Sequence, residues 1–178
     1  MNDKSLRVLS SIGLGVGGVL GMAGTFAPSA SLRGLAWGVD GIALVMACPL
    51  LTFRFFRMGQ EIVAAGFLVF AIGESLLVSG AAMNLAQSAP SFGGGVGLWA
   101  VGIAMISVPR VFPMAVRLLG LVAALLFAAT ACRIFAGAQI MALSRPLPFF
   151  AYPVLVATFV GWIVTIMRDG PPVARPSV

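Results

Sequence analysis

The chain has 178 residues, is 60% hydrophobic and 9% charged, and has a mean hydropathy of +1.08. A soluble domain carries about 25% charged residues, so this composition excludes a water-soluble globule and requires apolar surface to face lipid. The net charge of +6 comes from Arg and Lys set singly or in pairs between apolar runs. Without a basic stripe or stacking aromatics these are topology signals, and no nucleic-acid partner is expected.

Met1 to Arg7 is a short polar start with Lys4 and Arg7, followed by an apolar run from Val8 to Phe26. A basic start, an apolar middle and Thr25-Phe26-Ala27 have the outline of a cleavable signal peptide. A retained helix is the better reading, because the run is long for a signal core and five further membrane segments follow. Gly13, Gly17 and Gly21 recur at every fourth position, with Gly24 one turn on. This spacing lets two helix backbones approach closely. The partner is left open: another helix of this chain, a second copy in a homodimer, or a partner membrane subunit.

Ala27 to Gly34 reads as a turn-rich loop with Pro28 and Arg33. The second run, Leu35 to Phe53, contains Asp40, and Pro49 near its far end should kink or end the helix. A basic turn with Arg54, Arg57 and Glu61 leads to the third run, Ile62 to Leu85. That run is long enough to cross a bilayer, and its only charge is Glu74. Gly66, Gly73 and Gly80 repeat every seven residues along it, a second stripe for close helix contact. Ser75 and Ser79 are expected to bond back to their own helix.

Ala86 to Gly95 reads as an uncharged, flexible loop, and Val96 to Val108 as a short fourth run that begins among the glycines. Pro109 to Pro113 is a tight connection. The fifth run is apolar from Leu118 to Cys132, meets Arg133, and continues to about Leu143. Ser144 to Pro148 is a stiff turn, and Phe149 to Met167 is the sixth run. Asp169 to Val178 is a polar, Pro-rich tail.

The predicted fold is all-α, a bundle of six transmembrane helices. Residues 1–168 form one domain and residues 169–178 a cytoplasmic tail. Lys4, Arg7, Arg54, Arg57, Arg110, Arg117, Arg168 and Arg175 fall on the side of both termini, against Arg33, Arg133 and Arg145 on the other. The positive-inside rule makes the first side cytoplasmic. Phe53, Phe55, Phe56, Trp37, Trp99, Phe149, Phe150 and Tyr152 lie near run ends and read as interfacial anchors. A faint repeat matches Gly41-Ile42-Ala43 with Gly102-Ile103-Ala104, and Ala64-Ala65 with Ala123-Ala124. If real, it sets Glu74 and Arg133 at corresponding places in parallel hairpins.

Three charges fall within the spans. At ~1.5 Å per residue, Asp40 lies ~9 Å, Glu74 ~12 Å and Arg133 ~10 Å below the outer boundary. Such groups are costly in lipid and mark functional sites by default. Arg133 cannot neutralise and must pair or reach the interface. The expected arrangement sets it against Glu74, Asp40 or both, with Gln139 adding hydrogen bonds at the mouth. A structural reading competes, in which an ion pair fixes helix register or Arg133 and Asp40 reach for headgroups.

There is no histidine, which removes ordinary haem ligation, a His-based zinc site and a Ser-His-Asp triad. No metal or cofactor is expected. Cys48 and Cys132 differ too much in depth to bond. The expectation is a small integral protein of the bacterial inner membrane. It would act as a proton- or cation-coupled transporter or permease with its polar site at Glu74. The alternatives are a non-catalytic subunit or scaffold packing through its glycine faces, or a membrane-embedded hydrolase using Asp40 and Glu74 as an acid–base pair.

Overall fold

In lipid a backbone N–H or C=O finds no water, so each apolar run must satisfy its own hydrogen bonds as a helix. A computed structural model describes residues 2–80, 85–145 and 147–168. Its helices are α1 (Asp3–Thr25), α2 (Ala30–Arg57), α3 (Glu61–Gly80), α4 (Leu85–Ser107), α5 (Met114–Phe135) and α6 (Ala151–Arg168), with one 3-10 turn at Leu147–Phe149. All six helices are long and apolar enough to cross a membrane. Among the described residues there is no strand. The chain is a multi-pass, all-α membrane protein. Each helix packs on its sequence neighbours, and α6 also packs on α1, which closes the bundle into a ring.

Several boundaries differ from the sequence reading. The polar start is already helical: the Asn2 side chain accepts the Ser5 N–H at 2.8 Å and opens α1 at Asp3. The loop expected at residues 27–34 is shorter, because Ser29 caps α2 by accepting the Leu32 N–H at 3.3 Å. Pro49 lies inside α2, which runs on to Arg57. Residues 86–95, expected as a loop, belong to α4. Glycine is tolerated in membrane helices, and here the missing side chains admit a neighbour: a Cβ on Gly95 would lie 2.6 Å from Leu77 Cγ.

The fifth helix stops at Phe135, eight residues before the expected Leu143. Gly137 adopts φ +95°. Its N–H donates to Ile134 O at 2.9 Å, and the Ala138 N–H donates to Arg133 O at 2.9 Å. This is a Schellman cap, which ends a helix through a left-handed residue. Gly59 (φ 71°) ends α2 in the same way, with Gln60 N–H donating to Phe55 O at 2.9 Å. The tail from Asp169 to Val178, including Arg175, lies outside the described residues.

The interior is a continuous column of rings. In order they are Phe112, Phe55, Phe67, Trp162, Phe159, Phe70, Trp99, Phe127 and Tyr152, each 5.1–6.2 Å from the next. Phe55 and Trp99, expected as interfacial anchors, are therefore core residues. Phe53, Phe56, Phe149 and Phe150 are exposed. The basic turns also hold a structural contact. Arg54, 1% exposed, donates from Nε to Asp3 Oδ1 at 3.1 Å, and Arg7 pairs with the other oxygen of Asp3 at 3.1 Å. A charge read as a topology signal thus joins α1 to α2.

Both glycine stripes meet helices of the same chain. Cβ atoms on Gly13, Gly17, Gly21 and Gly24 would lie 2.5–2.9 Å from Ala47, Leu44, Asp40 and Trp37 of α2, in that order. On α3, a Cβ on Gly66 would lie 2.8 Å from Gly102 O, and one on Gly73 would lie 2.8 Å from Gly95 O. Gly80 is the last residue of α3, and its surroundings lie outside the described residues. The proposed repeat fails at this level. Gly41 of α2 packs on Val78 and Glu74 of the following helix, whereas Gly102 of α4 packs on Gly66 and Phe70 of the preceding one.

Candidate functional site

The half of the bundle opposite Arg54 and Arg168 contains a cavity of about 620 Å³. On α1 the wall is Gly17, Gly18 and Gly21, with Met22 and Thr25 above them. From α2 come Trp37, Gly38, Asp40 and Leu44; from α3, Glu74, Leu77 and Val78; from α4, Phe92 and Trp99. Tyr152, Leu155, Val156 and Phe159 of α6 complete the ring, with Met141 and Ala142 of the α5–α6 connection. The rim reaches exposed positions at Gly34 and Val78. Phe159 and Trp99 belong to the aromatic column, whose rings continue towards the Arg54 end.

Packing explains why two acids can face this space. Asp40 lies against the bare backbone of α1: Cβ atoms on Gly17 and Gly21 would lie 3.1 Å from its Oδ1 and 2.9 Å from its Oδ2. Glu74 lies against Gly41, where a Cβ would be 3.3 Å from Oε1. The two carboxyls are near enough to interact electrostatically. Glu74 is 4% exposed. Asp40 Oδ1 and Glu74 Oε2 are both buried without a hydrogen-bond partner. The indole N–H of Trp99 is close enough to act on the Glu74 carboxyl. It completes no hydrogen bond within the protein.

The surrounding polar groups are held by backbone. Thr25 Oγ1 donates to Gly21 O at 2.9 Å, and Trp37 Nε1 donates to the same oxygen at 3.2 Å. The Tyr152 hydroxyl donates to Ala142 O at 3.0 Å, tying the α5–α6 connection to α6. Ser75 bonds back to Ala71 O at 2.9 Å.

The structure brings Asp40 and Glu74 together but not Arg133 or Gln139, which are exposed and do not line the cavity. The early end of α5 is the reason. Arg133 is two residues from Phe135, so it sits ~3 Å from the helix end instead of ~10 Å inside. A cation there complements the helix dipole and reaches headgroups without a buried partner. The described ion pairs are those of Asp3 with Arg7 and Arg54, so the expected Glu74–Arg133 pair does not form. Both cysteines are free, Cys48 buried and Cys132 exposed.

Sequence reasoning missed the cavity's aromatic part: Trp37, Trp99, Tyr152 and Phe159 line it. The nearness of Trp37, Trp99 and Tyr152 to run ends pointed to the interface, and nothing in the sequence sets Phe159, in the middle of the sixth run, apart. The available signal was Trp37 and Asp40 one turn apart on α2, opposite the Gly21 and Gly24 gap. Among the described residues no three His, Cys, Asp or Glu side chains gather as a metal site. Comparison with protein-family models, curated proteins and solved structures found no match.

Proposed function

We propose that the chain is a proton- or cation-coupled transporter of the bacterial inner membrane, with Glu74 and Asp40 as its coupling and binding groups. One observation carries the reading: two carboxyls with unpartnered buried oxygens face one cavity whose described lining residues include no Lys or Arg. A carboxylate kept in a membrane core without a fixed counter-ion needs a mobile one, or water. Under the positive-inside rule the Arg54 end is cytoplasmic and the cavity opens outward. The aromatic column then acts as the closed inner barrier, and alternating access requires it to part.

The scaffold alternative rests on free glycine faces. That support is weak, because both stripes are occupied within the chain. A hydrolase would need a donor for a developing oxyanion beside the acid pair, and the Trp99 indole is the one buried, unpartnered side-chain N–H among the described lining residues.

The test is charge movement in reconstituted vesicles adsorbed on a solid-supported membrane. A proton or sodium jump on the cavity side should give a transient current, and Glu74→Gln should abolish it while melting like the wild type. Currents no larger than those of empty vesicles would remove the transporter reading.

A further inference from the structure

We infer that the cavity takes an amphiphilic organic cation, a hydrophobic body carrying one ammonium-like charge. This rests on the transport reading above and adds the class of cargo.

Three features of the cavity select that class. The first is sign. Asp40 Oδ1 and Glu74 Oε2 are unpartnered, and among the described residues no basic side chain lines the space. A pocket of one sign within low-dielectric walls concentrates the opposite charge and repels its own.

The second is coordination. A hard metal ion takes six or more oxygen ligands, whereas among the described lining residues only Asp40, Glu74, Thr25 and Tyr152 carry side-chain oxygens. Thr25 and Trp37 donate to Gly21 O, and Tyr152 donates to Ala142 O. An ammonium differs, because aromatic rings stabilise it where oxygen ligands are few, and Trp37, Trp99, Tyr152 and Phe159 share the wall with the two acids.

The third is size. A volume of about 620 Å³ lies within the ~300–1,000 Å³ typical of sites for drug-sized molecules and is far larger than a bare ammonium needs. Aliphatic side chains share the wall: Leu44, Leu77, Leu155 and Val156 would hold an apolar body. Trp99 adds a buried, unpartnered N–H beside Glu74, a donor for one acceptor on the ligand.

An ammonium of this kind reaches the cavity from solution or as the headgroup of a lipid such as phosphatidylethanolamine. The phosphate of that lipid would find no basic side chain among the described lining residues.

Equilibrium binding of radiolabelled tetraphenylphosphonium to the purified full chain in detergent tests the inference. Tetraphenylborate, with the same shape and opposite charge, is the competitor. Saturable phosphonium binding that the borate does not displace is expected. Glu74→Gln should weaken it at least about tenfold, equivalent to ~1.4 kcal/mol, and Asp40→Asn should act in the same direction. Arg133→Gln, outside the cavity, should bind as the wild type does. Phosphatidylethanolamine in mixed micelles separates the sources: displacement of phosphonium assigns the site to a lipid amine, and none assigns it to a free cation. Absent phosphonium binding, equal binding of phosphonium and borate, or unchanged affinity in both folded carboxyl variants would overturn the inference. The phosphonium–borate comparison needs no variant and decides the matter even where a substitution prevents folding. Phosphonium binding without charge movement in vesicles would keep the site and remove the transporter. Charge movement without phosphonium binding would do the reverse.

Discussion

Asp40 can lie along α1 only because Gly17 and Gly21 leave its backbone bare. Whether a missing side chain matters depends on what fills the gap, and two glycines of α4 separate the cases. A Cβ on Gly95 would lie 2.9 Å from Gly73 O and 2.6 Å from Leu77 Cγ, so the α3 and α4 backbones would have to part. A Cβ on Gly97 would meet Ala131 Cβ at 3.6 Å, an ordinary contact. Gly95→Ala should therefore destabilise the chain by ~1–3 kcal/mol, the range for overpacking. Gly97→Ala should be neutral or stabilising by up to ~1 kcal/mol, the helix preference of Ala over Gly. Thermal unfolding in detergent checks the pair; equal losses would show that α3 and α4 are not in this register. The stripes themselves were legible in the sequence as spacing. Their partners were not, because spacing shows that a face is narrow and not which helix lies against it.

At the scale of elements, apolar runs gave the number and type of helices, but their ends depended on single residues. The fifth run is apolar through Met141, Ala142 and Leu143, and hydropathy alone continues it. Gly137 stops it with a left-handed turn that frees the connection to fold back, so that Met141 and Ala142 line the cavity. That difference moved Arg133 from a buried partner of Glu74 to an exposed helix end. Nothing lies within 4 Å of a Cβ added at Gly137, so Gly137→Ala carries only the conformational cost of a left-handed residue, ~1–2 kcal/mol. Hydrogen exchange should quicken at residues 136–145 while α1 to α4 keep their protection. Faster exchange throughout the bundle would mean that the cap supports the whole fold.

For the whole molecule, composition and the positive-inside rule were enough for a six-span bundle with an expected orientation. The cavity was legible only in its two acids. The ring column that closes it joins residues from five helices and the α4–α5 connection, which no local pattern links. The central claim is that this space opens to the outside and that Glu74 makes it favour cations. Val156→Cys, in a chain also carrying Cys48→Ala and Cys132→Ser, places one thiol on its wall. The measurement is the reaction rate of that thiol in intact cells with two membrane-impermeant thiosulfonates, one cationic and one anionic. The account predicts labelling from outside, faster for the cationic reagent, with that preference reduced by Glu74→Gln. Labelling confined to inverted vesicles, or equal rates for the two reagents, would contradict it.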